Sequence, residues 1–245
     1  MNPQYSIIIT TMNEEESIGK VISAIPEDIR KMSEIIVVDS SDDSTPRIAR
    51  RLGAKVITEK RKGKGRAMKT GVERSKGDVI IFMDGDGTDP PQYIPELLKR
   101  LDKSDMVLGS RSMKKFKEDD AVMRDVFRVY RIFVRFFFAL VGFDIEGDPL
   151  AGFRAIRRKD WKRLGIKADD FTVETEMNLK SASLGFKVES VPIPHLKRGG
   201  GLLNSKLVTD PVMWIKIMAF ALKYAKDGKI KKKISRFGNF MRKEA

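Results

Sequence analysis

Two aspartates two positions apart, Asp84 and Asp86, are the residues of this chain best suited to hold a divalent cation. They follow the apolar run 79–83, and Pro90 and Pro91 come shortly after them. A short apolar run bounded by turn residues predicts a buried strand, and proline is tolerated in the first turn of a helix. Carboxylates at the end of such a strand could bind a cation that holds a nucleotide diphosphate, or they could be solvated acids in a polar turn.

Charged residues follow the other predicted strands as well. Apolar runs predict strands over residues 7–9, 34–38, 54–58, 79–83 and 105–109. Helical segments separate these runs, which predicts an α/β fold with a mostly parallel, doubly wound sheet flanked by helices. Right-handed crossovers would bring the strand ends to one edge of that sheet. We call the space at this edge the crevice, and its predicted charged residues are Glu14, Asp39, Asp43, Lys64, Asp84 and Asp86.

Two loops are predicted to start helices beside the crevice. Asn13 follows the first strand, and asparagine is a frequent helix N-cap. The basic segment Gly63-Lys64-Gly65 opens a helix after the third strand. This segment has neither the spacing of a P-loop nor that of the dinucleotide-binding fingerprint, so by itself it is weak evidence for a phosphate site.

The composition narrows the possible functions. The chain of 245 residues has no cysteine and one histidine, which excludes a cysteine nucleophile, cysteine-based zinc sites and triads that need two histidines. A formal charge of +14 predicts an anionic partner, which could be a nucleic acid, a membrane surface or a phosphorylated substrate. No apolar run reaches the ~18 residues of a membrane span, and no secretory signal is visible, so we expect a cytoplasmic protein without a transmembrane helix.

Two segments combine basic and apolar residues. The first is a predicted amphipathic helix over residues 122–141, whose arginines recur on one face: Arg124, Arg128, Arg131 and Arg135. It is either a membrane-interface helix or a core helix with a solvated arginine face, and its phenylalanines favour the first interpretation. The second is the C-terminal tail from residue 223, where nine basic residues and two acidic ones give a net charge of +7. This tail could lie on anionic lipid or keep the protein soluble.

Together these residues resemble the family 2 glycosyltransferases of GT-A fold, in particular the polyprenyl-phosphate sugar synthases typified by dolichyl-phosphate mannose synthase. The resemblance extends from residue 6 to residue 206. It rests on these motifs: Asn13-Glu14-Glu15, Val37-Val38-Asp39 with Asp43-Ser44-Thr45, Gly63-Lys64-Gly65, Asp84-Gly85-Asp86, Gly109-Ser110-Arg111, Gly152-Phe153-Arg154, Glu176-Met177, Val191-Pro192-Ile193, and Arg198 followed by Ser205-Lys206.

The resemblance implies a role for each matching residue. The nucleotide-sugar donor would contact Thr10, Met12, Asn13, Glu14, Asp39, Asp43, Lys64, Ala67, Asp84, Gly85 and Asp86. Mg²⁺ or Mn²⁺ on the donor diphosphate would bind Asp84, Asp86 and Thr88, with Asp89 in a structural role. The acceptor phosphate would contact Arg111, Arg128, Arg131, Arg198 and Lys206. The catalytic residues would be Asp86, Arg111 and Glu176.

The implied reaction transfers a hexose, with inversion, from a donor such as GDP-mannose or UDP-glucose to a polyprenyl or dolichyl phosphate. An ionised phosphate needs no general base, whereas a hydroxyl acceptor would need one, for which Asp148, Glu174 and Glu176 are the candidates, with Glu176 favoured by the family pattern. A non-catalytic basic module that binds membrane or nucleic acid is the remaining alternative, although we expect no nucleic-acid partner.

The expected organisation is one GT-A domain followed by a basic tail. The domain would span residues 1–208, with a nucleotide-binding half over 1–111 and an acceptor half over 112–208. The amphipathic, basic tail would span 209–245. The protein would then act as a peripheral enzyme on an anionic membrane surface, at the cytoplasmic face.

Overall fold

The computed structural model describes residues 3–60, 63–111, 147–194, 196 and 211–226. Its centre is one sheet of seven strands in the order β3-β2-β1-β4-β6-β5-β7. The strands are β1 Tyr5–Thr11, β2 Ser33–Asp39, β3 Lys55–Thr58, β4 Val79–Asp84, β5 Met106–Arg111, β6 Arg154–Arg157 and β7 Val188–Ile193. The five predicted strands are confirmed with ends shifted by at most two residues, because buried apolar runs carry a clear local signal.

Helices cover both faces of this sheet. They are α1 Ile18–Ser23, α2 Glu27–Lys31, α3 Thr45–Arg51, α4 Lys64–Glu73, α5 Ile94–Leu101, α6 Arg158–Leu164, α7 Val173–Ser183 and α8 Pro211–Lys226, with a 3₁₀ turn at Pro91–Tyr93 before α5. Successive residues of a strand point to opposite faces of a sheet. Accordingly, Ile8 belongs to one buried apolar cluster and Ile7 and Ile9 to the other. Burying each of these side chains contributes about 1.5–3 kcal/mol to folding.

The direction of β6 decides what lies at the crevice. All paired strands are parallel except β6, which runs antiparallel between β4 and β5. Since β4 and β5 therefore point the same way, Asp84 at the end of β4 and Arg111 at the end of β5 lie at one edge of the sheet. The residues that precede β6 lie at this edge too, because an antiparallel strand begins where its neighbours end.

The backbone at Asn13 differs from the conformation that the sequence predicted. The prediction that Asn13 caps a helix is wrong, because α1 begins only at Ile18 and Asn13 adopts a left-handed conformation with φ of 59°. Asparagine tolerates this conformation better than most residues do. Helix α8 begins at Pro211, since proline is tolerated in the first turn of a helix. Within the described residues, no helix combines the length and the apolar character that crossing a membrane requires.

Several predicted elements lie outside the described residues. They are the arginine-lined helix with Arg128 and Arg131, the loop with Arg198 and Lys206, and the tail beyond residue 226.

Candidate active site

The turn after β4 holds three acids in a fixed arrangement. The Asp86 carboxylate, 7% exposed, accepts hydrogen bonds from the backbone N–H and the hydroxyl of Thr88, at 3.0 and 2.7 Å. Asp89 accepts a hydrogen bond from the backbone N–H of Asp84 at 2.8 Å. Thr88, predicted as a cation ligand, thus donates the hydrogen bonds that hold Asp86 in place. Gly85, between Asp84 and Asp86, has no room for a side chain, since a Cβ there would lie 2.4 Å from the Thr11 methyl carbon.

Asp89 plays the structural part expected of it. Burial raises its pKa to about 8, and the negative charges of Asp84 and Asp86 add to this effect. Its carboxyl group is therefore mostly neutral at pH 7. Carboxylates crowded in this way favour a cation beside them.

Lys64 connects this turn to α7. Its ammonium lies 2.7 Å from Oδ1 and 2.8 Å from Oδ2 of Asp84, and 2.7 Å from Oε1 of Glu174. Burial alone would lower the pKa of Lys64, but the charges of Asp84 and Glu174 outweigh it and raise that pKa above its ordinary value. Gly152 closes over the pair, since a Cβ there would lie 2.7 Å from both Asp84 Oδ2 and Lys64 Nζ. Gly152 was not among the residues predicted to bind donor, cation or acceptor, and Glu174 was considered only as a general base for a hydroxyl acceptor.

The glycines beside Lys64 serve packing. A Cβ on Gly63 would lie 2.3 Å from the carbonyl oxygen of Asp169, and one on Gly65 would lie 2.4 Å from that of Ala168. The N–H of Gly65 donates to the carbonyl of Asp170 at 3.2 Å. The glycine-rich segment therefore packs the start of α4 closely against the loop before α7. This contact fixes the position of Lys64, the first residue of α4.

Glu176, expected to be catalytic, has both carboxylate oxygens engaged by α7 and the loop before it, and its catalytic role stays a prediction. One carboxylate oxygen accepts the N–H groups of Lys167 and Ala168 at 2.9 and 2.7 Å, and the other pairs with Lys180 at 2.7 Å. Residues two apart on a helix point to different sides, and it is Glu174 that pairs with Lys64. Ala67, predicted to contact the donor, packs in the apolar core, and its contact with a donor stays a prediction.

Replacing Glu176 by Gln should therefore lower stability and spare activity. The amide loses the ion pair to Lys180 but can still accept the two loop N–H groups, so we expect the free energy of unfolding to fall by about 1–2 kcal/mol. Thermal unfolding and sugar transfer would be measured side by side. A loss of transfer of about 100-fold or more, the size of a missing general base, would instead restore a catalytic role.

Two loops form the opposite wall of the crevice. Asp39 ends β2 and is buried, accepting the hydroxyl protons of Thr11 and Ser41 at 2.7 and 2.5 Å. Asp43 accepts the N–H groups of Thr45 and Glu15 at 2.9 and 3.2 Å. Burial would raise the pKa of Asp43, but the hydrogen bonds from Thr45 and Glu15 outweigh it and lower that pKa.

Further bonds join the same two loops. Asn13 donates its N–H to Ser41 and accepts the N–H of Asp42, at 2.7 and 3.0 Å, and Glu14 donates its N–H to Thr45 at 2.9 Å. Predicted donor residues thus lie together here, along with half-buried Met12, and Thr10 lies 3.4 Å from Asp84 Oδ1. Their contacts shape the wall, while their binding of a nucleotide stays a prediction.

Arg111 is held at the crevice by a buried acid. Its Nε and Nη2 atoms lie 2.7 and 2.5 Å from Oδ2 of Asp148, which has no exposed surface. The other oxygen of Asp148 accepts the N–H of Leu150 at 3.1 Å. Both oxygens of Asp148 thus hold Arg111 and the loop before β6 in place, and its role as a general base for a hydroxyl acceptor stays a prediction.

Arg154 holds the loop before β6 through hydrogen bonds from its side chain. Its fully buried guanidinium donates to the carbonyls of Ala151 and Pro149 and to the side-chain oxygen of Asn178, at 2.7, 2.9 and 2.7 Å. Burial lowers its pKa to about 10, while the charges of Glu174, Asp148 and Asp84 act in the opposite direction. Arg154 thus stays charged at neutral pH and holds the segment that places Gly152 over Asp84.

The donor atoms of the turn fit a hard divalent cation. No group of three or more histidine, cysteine or acidic side chains in the described ranges could hold a metal by itself. Mg²⁺ commonly binds one or two carboxylates and takes its other ligands from substrate phosphates and water. Asp84 and Asp86 therefore suit a cation that takes some of its ligands from a diphosphate better than a cation whose ligands all come from the protein.

Comparison with known families agrees with this geometry. Residues 6–165 match the model of glycosyl transferase family 2. The dolichyl-phosphate hexose transferase of Haloferax volcanii is 32% identical over 203 residues, which cover 80% of this chain and 84% of that protein. The dolichol-phosphate mannosyltransferase of Pyrococcus furiosus is 30% identical over 221 residues, which cover 84% of this chain but only 60% of that protein.

Solved structures show the same fold. The glucosyl-3-phosphoglycerate synthase of Mycobacterium tuberculosis, crystallised with Mn²⁺, UDP-glucose and phosphoglyceric acid, superposes with a TM-score of 0.73 at 22% identity. The superposition covers 97% of this chain and 85% of the synthase. The sheet and its helices are thus those of a GT-A glycosyltransferase, as predicted.

Proposed function

The chain belongs to glycosyl transferase family 2, and from that premise we propose that it transfers a hexose from a nucleoside diphosphate to a polyprenyl or dolichyl phosphate. One observation carries the proposal: Arg111 ends β5 at the same edge of the sheet where Asp84 ends β4. A residue suited to a phosphate and a residue suited to a diphosphate-bound cation thus border the same crevice. GDP-mannose and UDP-glucose are the donors we consider.

The donor side of the crevice would bind negative charge. Asp84 and Asp86 would hold Mg²⁺ or Mn²⁺, with Thr88 keeping Asp86 in place. The cation, when bound, offsets the charge that develops on the departing diphosphate. Lys64 supplies a further positive charge next to Asp84. The loops with Glu14, Asp39 and Asp43 would contact base and ribose.

The acceptor side would position an anion. Arg111, oriented by Asp148, presents a guanidinium at the end of β5, and arginine matches the geometry of phosphate oxygens. A phosphate oxygen that is ionised at neutral pH can attack the anomeric carbon without a base, leading to inversion. The ion pairs that engage Asp148 and Glu176, two of the acids considered as bases for a hydroxyl acceptor, support an acceptor that needs no base.

A lipid acceptor requires contact with a membrane surface, and α8 supports that part of the proposal. Its Ile217 and Ala221 are buried in the core, while Val212, Ile215 and Leu222 are more than half exposed. The neighbouring Lys216 and Lys223 are exposed as well. An apolar stripe beside lysines suits an anionic interface, and we place the protein at the cytoplasmic face of a membrane.

Matched acceptors test the proposal. The full chain is incubated with Mn²⁺, radiolabelled GDP-mannose or UDP-glucose, and vesicles that contain either a polyprenyl phosphate or the corresponding polyprenol. We expect label in the lipid fraction only with the phosphate, and only when the cation is present. Transfer to the polyprenol alone would identify a hydroxyl-acceptor enzyme, and absence of transfer from either donor to either lipid would reject the proposal.

A further inference from the structure

Lys64 occupies the place that a cation on Asp84 would need. Its single ammonium lies within 2.8 Å of both oxygens of the Asp84 carboxylate. The Lys64 side chain is 11% exposed, against 28% for that of Asp84, so the contact is mostly shielded from water. A lysine ammonium and a divalent cation repel each other strongly at such short range. The two cannot occupy Asp84 fully at the same time.

Glu174 gives the ammonium a second partner. Its carboxylate, 5% exposed, lies 2.7 Å from Lys64 Nζ. Breaking a buried ion pair is strongly destabilising, so this pair should persist when Lys64 releases Asp84. The lysine side chain is a flexible stem of four carbons and can move its charge without a change in the backbone.

We propose that Lys64 is an exchangeable counter-cation for Asp84. With no donor bound, the ammonium neutralises Asp84; when a divalent cation and a diphosphate bind together, it releases Asp84, stays on Glu174 and faces the diphosphate. This inference rests on the proposed function, because it takes Asp84 to be a cation ligand. Glu174 is then a positioning residue, which acts through Lys64.

Exchange at Asp84 has a thermodynamic consequence. Without a nucleotide, a divalent cation must displace the Lys64 ammonium from Asp84, so one favourable charge interaction replaces another. The affinity of the protein for the cation is then low. With a nucleotide diphosphate present, the displaced ammonium acquires an anionic partner. The cation and the nucleotide should therefore increase each other's affinity, and by the same factor in both directions.

The test measures Mn²⁺ binding rather than activity. The full chain is titrated with MnCl₂ by electron paramagnetic resonance, with and without UDP or GDP, as wild type, as Lys64→Met and as Lys64→Met/Glu174→Gln. The double variant is decisive because it keeps the net charge of the crevice and leaves no buried carboxylate unpaired. We expect both variants to bind Mn²⁺ about tenfold more tightly than wild type without nucleotide, a typical strength for a close charge pair.

In both variants we also expect the factor by which the nucleotide tightens Mn²⁺ binding to shrink. Lys69→Met is the matched control, since Lys69 is on the same helix but pairs with Asp169 at 2.7 Å, and it should bind Mn²⁺ as wild type does. Unchanged or weaker Mn²⁺ binding in the double variant would overturn the proposal. Because these titrations need no acceptor, failure of lipid transfer and failure of the exchange are told apart.

Discussion

Replacing Asp86 by Asn is expected to lower kcat/KM for sugar transfer by about 10³-fold, the scale on which a lost group that stabilises charge in the transition state acts. The substitution removes the negative charge and keeps the shape. The amide oxygen of Asn can still accept the N–H and hydroxyl of Thr88, so the turn should fold as before. The loss would therefore come from weaker cation binding and not from unfolding.

Three measurements separate these causes for Asp86→Asn. Thermal unfolding should be nearly unchanged, Mn²⁺ binding in the presence of nucleotide should weaken, and transfer should fall with it. Asp102→Asn is the control, because Asp102 is exposed and follows α5 at the opposite edge of the sheet. If Asp86→Asn kept wild-type transfer and wild-type Mn²⁺ affinity, Asp86 would not be a cation ligand.

Gly152→Ala should lower kcat/KM by about 100-fold, because displacements of about 1 Å among positioned groups cost that much in rate. The added methyl carbon would start 2.7 Å from both Asp84 Oδ2 and Lys64 Nζ. Both atoms are at the ends of side chains, so they can move aside at little cost in stability. The groups that move are the ones assigned to the donor and its cation, which makes this a change in activity and not in folding.

Gly19→Ala provides the matched glycine control. Gly19 lies in α1, where a Cβ would meet Ile48 at 3.4 Å, an ordinary contact. Alanine in a helix is favoured over glycine by about 0.5–1 kcal/mol, so this variant should be as active as wild type and no less stable. Wild-type activity and wild-type Mn²⁺ affinity in Gly152→Ala would show that Gly152 does not constrain Asp84 and Lys64.

The sequence alone determined the frame of the molecule. The apolar runs specify the strands because burial on both faces of a parallel sheet requires uninterrupted apolar residues. Asp39, Asp84 and Arg111 could be placed at one edge, since parallel strands end on the same side. The motif Asp84-Gly85-Asp86 was also readable, because both acids and the glycine that lets the turn pass Thr11 are adjacent in the chain.

Only the tertiary structure decided which acidic side chains pair with Lys64 and with Arg111. Glu174 and Glu176 lie on one helix with the same local pattern, and the docking of α7 against α4 brings Glu174, and not Glu176, to Lys64. The antiparallel direction of β6 places Gly152 over Asp84 and Asp148 beside Arg111. These contacts join residues that are far apart in the chain. Hydrophobic periodicity and motif spacing describe residues that are close in sequence, so they cannot predict such contacts.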